Sequence, residues 1–398
     1  MTKKREKKQK PKVAIVADWL TVFGGAEQVI ERFTKIFPDA PIFTTVFVPE
    51  NMGVLKNHKN VHTSFLQHFP RFLREKHPFL LPLLPKSIES LDVSEFDIVL
   101  SSSSFVGKGV ITHPHQLHIC YCHSPARYFW GTWKEYIRDF PLPRWIKYFF
   151  PRFFTAYRQW DFFAAKRPDI MIANSHFIQE SIAKYYKRSS VVIPPPVDVN
   201  RFREGRREKK GDFYLYFGRL VPQKKVDLLI AAFRNMPEKK LIIAGTGRDM
   251  EKLKTIAKGA KNILFSGFVE DGDVPALLGS ARALLFPQLE DAGITALEAL
   301  AAGTPVIAYG KGGVLTTMTS KNNDISHHIE NDNILPTGVF FREQTPESVR
   351  WAIQMFEKHE KIFNRKKLQE HARTFDISIF DERIHTFVAE EWEKFCEK

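Results

Sequence analysis

Long apolar runs are missing from this sequence. None of its 398 residues lies in a stretch approaching roughly eighteen consecutive apolar side chains, so no membrane-spanning helix is expected. The basic N-terminus, Met1 to Lys12, has no apolar run behind it and does not read as a secretory signal. Cysteine is scarce: Cys120, Cys122 and Cys396 are too few for a disulfide framework and suit a reducing cytoplasm. Cys120 and Cys122 adjoin His123, but a fourth metal ligand is missing, so the two thiols read as small buried hydrophobes in a strand. Acidic residues are outnumbered, 45 Asp and Glu against 59 Lys and Arg, leaving a net charge of +14. Such a surface attracts polyanions: nucleic acid, anionic membrane or phosphorylated small molecules. Zinc-finger spacing, RNP-type aromatics and a basic helix with heptads are all absent, so nucleic acid is not the expected partner.

What is present is alternation. The length suits two domains with separate cores. Apolar runs Val13–Ala17, Ile42–Val48, Ile98–Ser101, Leu117–Cys122 and Ile170–Ala173 read as strands, mostly followed by helical pattern. The pattern restarts at Phe213–Phe217 and continues through Lys240–Ala244, Ile263–Phe265, Ala283–Phe286 and Pro305–Ala308. Strand and helix in alternation mean a parallel α/β sheet, here twice. The stiff joint Ile193-Pro-Pro-Pro196, followed by the charged run Arg201–Lys210, separates the halves. The expected organisation is a basic tail (1–12), a first Rossmann-like domain (13–196), a second (197–380) and a C-terminal helix (381–398) packing back on the first. Two α/β domains joined in this way would enclose a cleft.

The stretch from Pro287 to Ile307 is the most informative. A strand, a polar loop with Gly293, a helix, Gly303 and another strand follow one another. In an open parallel sheet, ligands bind at the loop after a strand's carboxyl end. The next helix presents free N–H groups to an anion. Glu290 lies in that loop and Glu298 just over one turn inside the helix. Two carboxylates would repel an anion itself, so they read as acceptors for hydroxyls flanking a phosphate, as in a nucleotide sugar.

Further motifs carry a resemblance over residues 13 to 390. They are Gly24-Gly25-Ala-Glu27, Tyr121-Cys-His123-Ser-Pro-Ala-Arg127-Tyr and Ala173-Asn174-Ser175-His-Phe in the first half. In the second half they are Gly218-Arg219-Leu-Val-Pro-Gln-Lys224, Gly245-Thr-Gly247 and Glu290 through Ile307. The chain resembles the retaining GT-B glycosyltransferases of family 4, the glycosyl transferases group 1, and especially mannosyltransferases that build lipid-linked O-antigen and capsule repeats. That resemblance implies the GT-B fold, two Rossmann-like domains about a cleft, with the acceptor on the first and the nucleotide sugar on the second.

It also implies roles. Glu298 would meet the ribose hydroxyls and Glu290 the transferred sugar. Amides at Gly293 and Ile294 would meet sugar hydroxyls or diphosphate, and the backbone around Phe268 and Val269 would frame the base. Gly24 and Gly25 would lie beneath the phosphate, near the acceptor, and His123 near the sugar. Gly218, Gly245 and Gly247 belong to the donor loops, while Asp18, Lys108 and Arg127 are acceptor-side candidates. Arg219 and Lys224 can stabilise a leaving diphosphate in place of a metal, one by a guanidinium fork and the other as a point charge. Asp271-Gly-Asp273 is explained by Asp273 as a helix N-cap, so neither metal nor cofactor is implied. Ala292 stands where the family usually has phenylalanine, and Thr316 where relatives often have glutamate.

The implied partners are a nucleotide-sugar donor, GDP-mannose first, a polyprenyl-diphosphate-linked saccharide and an anionic membrane surface at the inner face of the cell membrane. Two segments, Phe65–Pro85 and Tyr128–Trp160, mix aromatics with Arg and Lys, among them Arg138, Arg144 and Lys147. They suit a lipid headgroup interface or an insertion packed on its own domain. The competing readings are a UDP-hexose-dependent transferase of the same fold, and a basic nucleic-acid- or membrane-binding relative without catalysis.

Overall fold

The computed structural model describes residues 10–75, 77–130, 144–204, 211–318 and 334–398. Contacts divide the chain into two compact units, Met1–Ile193 with Asp381–Lys398, and Pro194–Phe380. In the first unit the strands are β1 (Val13–Ala17), β2 (Ile42–Thr44), β3 (Val61–Thr63), β4 (Ile98–Ser103), β5 (Leu117–Cys122), β6 (Ile170–Ala173) and β7 (Val191–Val192). They form one sheet in the order β3-β2-β1-β4-β5-β6-β7. Every pairing is parallel. The chain leaves β1 in one direction to build β2 and β3, then returns to build β4 onward. The switch point therefore lies between β1 and β4, where Ala17 pairs with Ser102.

The apolar run expected as one strand from Ile42 to Val48 is regular only to Thr44. Beyond it, Thr45 donates its hydroxyl to the carbonyl of Asp18. Val46 and Val48 then exchange backbone hydrogen bonds with Leu20, in the loop after β1. Burial explains the apolar pattern there, since both valines are in the core. The strand's partner has become a loop.

The second unit repeats the plan with β8 (Tyr214–Phe217), β9 (Leu241–Ala244), β10 (Ile263–Gly267), β11 (Ala283–Phe286), β12 (Val306–Tyr309), β13 (Ile334–Leu335) and β14 (Gly338–Phe341). Their order is β10-β9-β8-β11-β12-β14-β13, with only the β13–β14 pair antiparallel among the described residues. Side chains alternate across this sheet as a period of two requires. Tyr214, Tyr216, Ile243 and Leu285 pack under the helices Val226–Arg234 and Pro346–Lys358. Leu215, Ala244, Leu284 and Phe286 face the helices Val274–Ser280 and Ile294–Ala301. Both faces are buried, which is why the strands read as continuous apolar runs.

The helix Ile377–Cys396 starts at the end of the second unit, and from Asp381 it belongs to the first. Asp381 forms an ion pair with Arg32 on the helix Gly25–Ile36. Ile384 and Val388 are buried, and His385 stacks on Phe37. Among the described residues, no helix is long and apolar enough to cross a membrane.

The two aromatic and basic segments pack largely inward where they are described. Leu66, Leu80, Phe129 and Phe154 are buried in the first unit's core, with Phe69, Tyr157 and Trp160 against it. Trp160 donates its indole N–H to Glu89 at 2.9 Å. Phe65, Phe72 and Phe163 remain exposed. Arg138, and the side chains of Arg144 and Lys147, lie outside the described residues.

Candidate functional site

In the second unit, the switch point lies between β8 and β11, and the loops that follow these two strands carry the candidate residues. The loop after β8 holds Gly218, Arg219 and Lys224, and ends in the helix Val226–Arg234. The loop after β11 holds Glu290 and Gly293 and ends in the helix Ile294–Ala301. The structure brings them together: Lys224 Nζ donates to Glu290 Oε1 in a part-buried ion pair. Glu290 is fixed from behind as well, because its carbonyl accepts from Gly313 N–H at 2.7 Å and its backbone bridges Gly312. Arg219 is exposed and forms no ion pair among the described residues. The result is one committed cation, one open cation and one carboxylate around the N-terminus of a helix that Gly293 starts at φ +73°.

Gly245 and Gly247 have a structural reason that the sequence does not show. A Cβ on Gly245 would lie 2.0 Å from the carbonyl oxygen of Gly218, and one on Gly247 would lie 2.1 Å from that of Leu220. Leu220 N–H donates to the Thr246 carbonyl at 2.8 Å. The two glycines let the loop after β9 lie directly on the Gly218–Leu220 backbone, so they shape the donor loop from beneath. Among the described residues, then, glycine here serves loop-on-loop packing.

Glu298 sits inside the helix Ile294–Ala301, part-buried between buried Leu297 and Ala299. Its carboxylate has no hydrogen-bond partner among the described residues. Burial pushes its pKa up to about 7, with Arg201 opposing and Asp271 adding to the rise. Arg201, which the sequence placed in a charged linker, forms an ion pair with Asp271 at 2.7 Å and donates to the Asp271 carbonyl. Its helix, Val199–Glu204, packs against the helix of Glu298. No motif marks this arginine, because the contact exists only once two helices distant in sequence pack together. Asp273 does occupy the position before the helix Val274–Ser280, but its side chain makes no capping bond. Instead, it is Asp271 of that pair that is engaged, with Arg201. Phe268 follows Gly267 at the end of β10 and is 69% exposed, while Val269 packs partly on the core. Ala292 is buried, as is Thr316.

In the first unit, two acceptor-side candidates turn out to be internal. Asp18, directly after β1, is 8% exposed. Its Oδ1 accepts from Ser103 Oγ at 3.0 Å and Gly107 N–H at 2.5 Å. Its Oδ2 accepts from the amides of Ser104 at 2.6 Å and Phe105 at 3.0 Å. Burial raises its pKa against these bonds and Lys108. With both oxygens spent on the loop after β4, Asp18 ties the switch point shut and cannot also serve an acceptor. Lys108 is likewise corrected: it is fully buried and forms an ion pair with Asp161 at 2.6 Å. Asp161 also accepts from Trp130 Nε1 at 2.6 Å and Tyr186 OH at 2.8 Å. A lysine with no exposed surface has nothing to offer a ligand. The side chain of Arg127, at the start of the helix Arg127–Trp130, lies outside the described residues.

Gly24 is the N-cap of the helix Gly25–Ile36. Glu27 turns its carboxylate back toward Gly24, and the local backbone amides oppose a rise in its pKa. Burial, with a smaller push from Asp18, raises the pKa of Glu27 to about 7. His123 directly follows β5, part-buried, with Nε2 2.8 Å from Ser102 Oγ. Its carbonyl accepts from Asn174 Nδ2 at 2.9 Å, and its N–H donates to Ser103 at 2.9 Å. Burial lowers its pKa to about 4. Cys120 and Cys122 are buried free thiols in the core with Met171 and Ile178.

Residues 23–201 match the family described as Glycosyltransferase Family 4, and residues 198–375 match Glycosyl transferases group 1. Mannosylfructose-phosphate synthase of Agrobacterium fabrum is 25% identical over 77% of this chain and 72% of its own length. A GDP-mannose-dependent alpha-(1-6)-phosphatidylinositol monomannoside mannosyltransferase of Mycolicibacterium smegmatis is 29% identical over 38% of this chain and 46% of its own. Among solved structures, sucrose-phosphate synthase of Thermosynechococcus elongatus superposes with a TM-score of 0.71 over 96% of this chain and all of its own, at 15% identity. With matching models over both halves and the doubled sheet order of the fold, the chain belongs to the GT-B glycosyltransferases of the Glycosyl transferases group 1 family.

Proposed function

We propose that this chain is a retaining, metal-independent glycosyltransferase that moves a hexose, mannose first, from a nucleoside diphosphate to a lipid-linked saccharide. The observation that carries it is the meeting of Lys224 with Glu290 at the switch point of the second unit, beside exposed Arg219 and the helix that Gly293 starts. Lys224 and Arg219 supply charge to a departing diphosphate, and Glu290 accepts hydroxyls of the sugar. Without a ligand, Lys224 rests on Glu290. With a donor bound, its ammonium is shared with phosphate oxygen, which couples sugar position to charge stabilisation. The mannose assignment is supported by the two relatives named above for mannosyl products. Ala292, small where the family usually carries phenylalanine, favours testing a UDP-hexose beside GDP-mannose. Isothermal titration with both nucleotide sugars, followed by turnover assays, separates these from a binding protein, which should take up neither.

Retention is the outcome the family resemblance implies, and two first-unit groups support it. An inverting transferase needs a general base to deprotonate the acceptor. Asp18 is fully hydrogen-bonded, and part-buried His123 is a weak base. In this reading the departing phosphate oxygen takes the acceptor proton on the face the diphosphate vacates. Proton NMR of product made from an α-linked donor should show an α linkage; a β linkage would overturn the mechanism.

The Glu298 carboxylate is assigned to ribose hydroxyls, from which it accepts far more strongly when ionised. Its pKa near 7 then makes binding pH-dependent. Nucleotide-sugar affinity should weaken as pH falls below about 7, approaching tenfold per unit well below it. The donor's diphosphate diester does not titrate in that range. Glu298→Gln should bind more weakly and lose this dependence. Retention of the same pH profile by the variant would remove Glu298 from the nucleotide site.

Attachment to an anionic membrane surface belongs to the same reading, supported by the net charge of +14 and by exposed Phe65, Phe72 and Phe163. Binding to anionic vesicles should fall steeply with salt, because surface charges are screened. Equal sedimentation with neutral vesicles would contradict it.

A further inference from the structure

Among the described residues, His123 makes one side-chain hydrogen bond, between Nε2 and Ser102 Oγ at 2.8 Å. A neutral imidazole has one N–H and one bare nitrogen, and the partner of either nitrogen settles which is which. Ser102 is 2% exposed on β4, and among the described residues its hydroxyl has no partner other than this ring. If Nε2 carried the proton and donated to Oγ, the serine hydroxyl hydrogen would be left buried and unbonded. Leaving a buried donor unmade costs about 1–3 kcal/mol. If the hydroxyl donates to a bare Nε2, both groups are satisfied and the ring proton must sit on Nδ1. Burial keeps the ring neutral at physiological pH, so both nitrogens are not protonated together.

We infer that Ser102 is a positioning residue that fixes His123 as the Nδ1–H tautomer, so that this ring faces substrate as a hydrogen-bond donor and not as a base. The backbone on either side is held by other strands. Asn174, at the end of β6, donates to the His123 carbonyl, and Ser103 of β4 accepts from its amide. Ser175 in turn donates to Asn174 Oδ1 at 3.2 Å, which orients the Asn174 amide. The neighbouring pair on the same two strands shows the contrast. Ser101 Oγ lies 2.9 Å from His118 Nε2, but His118 is fully buried and its Nδ1 has no partner, so that ring is closed to any ligand. His123, only part-buried, has no partner at Nδ1 among the described residues. Its N–H suits an oxygen bearing negative or partial negative charge, a sugar hydroxyl or a phosphate oxygen.

This inference rests on the glycosyltransferase reading for its role in turnover, but its first test does not. Two-bond ¹H–¹⁵N correlation spectra of the uniformly labelled, ligand-free full chain at neutral pH report the tautomer of each neutral histidine. The His123 signals are assigned by their loss in His123→Asn. An Nδ1–H pattern is expected, and an Nε2–H pattern would overturn the inference whatever the activity. Ser102→Ala should shift those signals toward the other tautomer, and Ser102→Thr, which keeps the hydroxyl, should restore them. In turnover assays, Ser102→Ala should lower kcat about tenfold, the order of loss expected when a contacting group is slightly misplaced, with donor KM little changed. His123→Asn, whose amide can stand where Nδ1–H stood, should retain more activity than His123→Gln, whose amide reaches the Nε2 position. The reverse order would show that Nε2 faces the chemistry and sink the proposed donor role. If the tautomer is Nδ1–H but no nucleotide sugar is bound or consumed, the proposed function fails and the Ser102 assignment stands.

Discussion

Replacing Lys224 or Arg219 by alanine should lower kcat by about two orders of magnitude or more, as removal of one charge-stabilising donor does elsewhere. Negative charge grows on the diphosphate as the glycosidic bond breaks, and fixed cations placed for that charge need no reorganisation when it appears. The two residues should not fail alike. Lys224 is ion-paired with Glu290, so its loss also frees the carboxylate that would hold the sugar. Lys224→Ala should therefore raise donor KM as well as lower kcat. Arg219, exposed and without an ion pair among the described residues, should lose kcat alone. Lys224→Arg keeps charge but not the compact ammonium seated on Glu290, and should recover only part of the rate. Steady-state kinetics with the preferred donor measures all three. EDTA should leave the wild-type rate unchanged. Loss of activity in EDTA with recovery in manganese would end the metal-independent reading.

Lys108→Ala should cost about 3–5 kcal/mol of stability, the penalty for leaving one member of a buried ion pair alone. The uncompensated partner is Asp161, fully buried and held by Trp130 and Tyr186. Burial is the largest influence and disfavours charge on Lys108, but Asp161, Cys122 and Asp18 together outweigh it and the pKa of the lysine is raised. The network joins the loop after β4, through the bond from Lys108 to the Phe105 carbonyl, to the helices Arg127–Trp130 and Arg144–Ala164. That is also the loop whose amides hold Asp18, so its loosening should reach the switch point. Thermal unfolding should show a loss of very roughly 6–20 °C for a unit of this size. The double variant Lys108→Met, Asp161→Leu removes both charges and should recover part of the loss. It leaves the Trp130 and Tyr186 donors without their carboxylate, so recovery is incomplete. A single variant that unfolds within a degree or two of wild type would show that the pair contributes little.

The fold was legible because burial on both sheet faces writes itself into composition. Runs such as Val13–Ala17 and Leu241–Ala244 can be little else, and alternation with helical pattern sets the parallel topology. Strand ends were less legible. Val46 and Val48 are as apolar as a strand's residues, yet pair with the loop at Leu20, which no local pattern reveals. At the candidate site, the order and spacing of Arg219, Lys224, Glu290 and Glu298 pointed to two loops at one sheet end, and the sheet order places them there. Polar residues near those loops were harder to sort. Asp18, Lys108 and His123 all follow strands of the first unit, and in sequence each reads as a ligand. Of the three, His123 alone is more than marginally exposed.

By itself, the sequence determined the two parallel α/β halves and the residue types in the loops after their strands, because these depend on burial periodicity and on motif order along the chain. Tertiary structure alone decided which of those groups are already spent. Asp18 closes a loop, Lys108 balances Asp161, Gly245 and Gly247 make room for a neighbouring backbone, and Arg201 stands by Glu298. Each of these outcomes depends on a partner between 27 and 97 residues away, as with Gly245 beside Gly218 and Glu298 beside Arg201. A buried polar group must find such a partner or pay for its desolvation, and which partner it finds is fixed by packing between elements, which leaves no local trace in the chain.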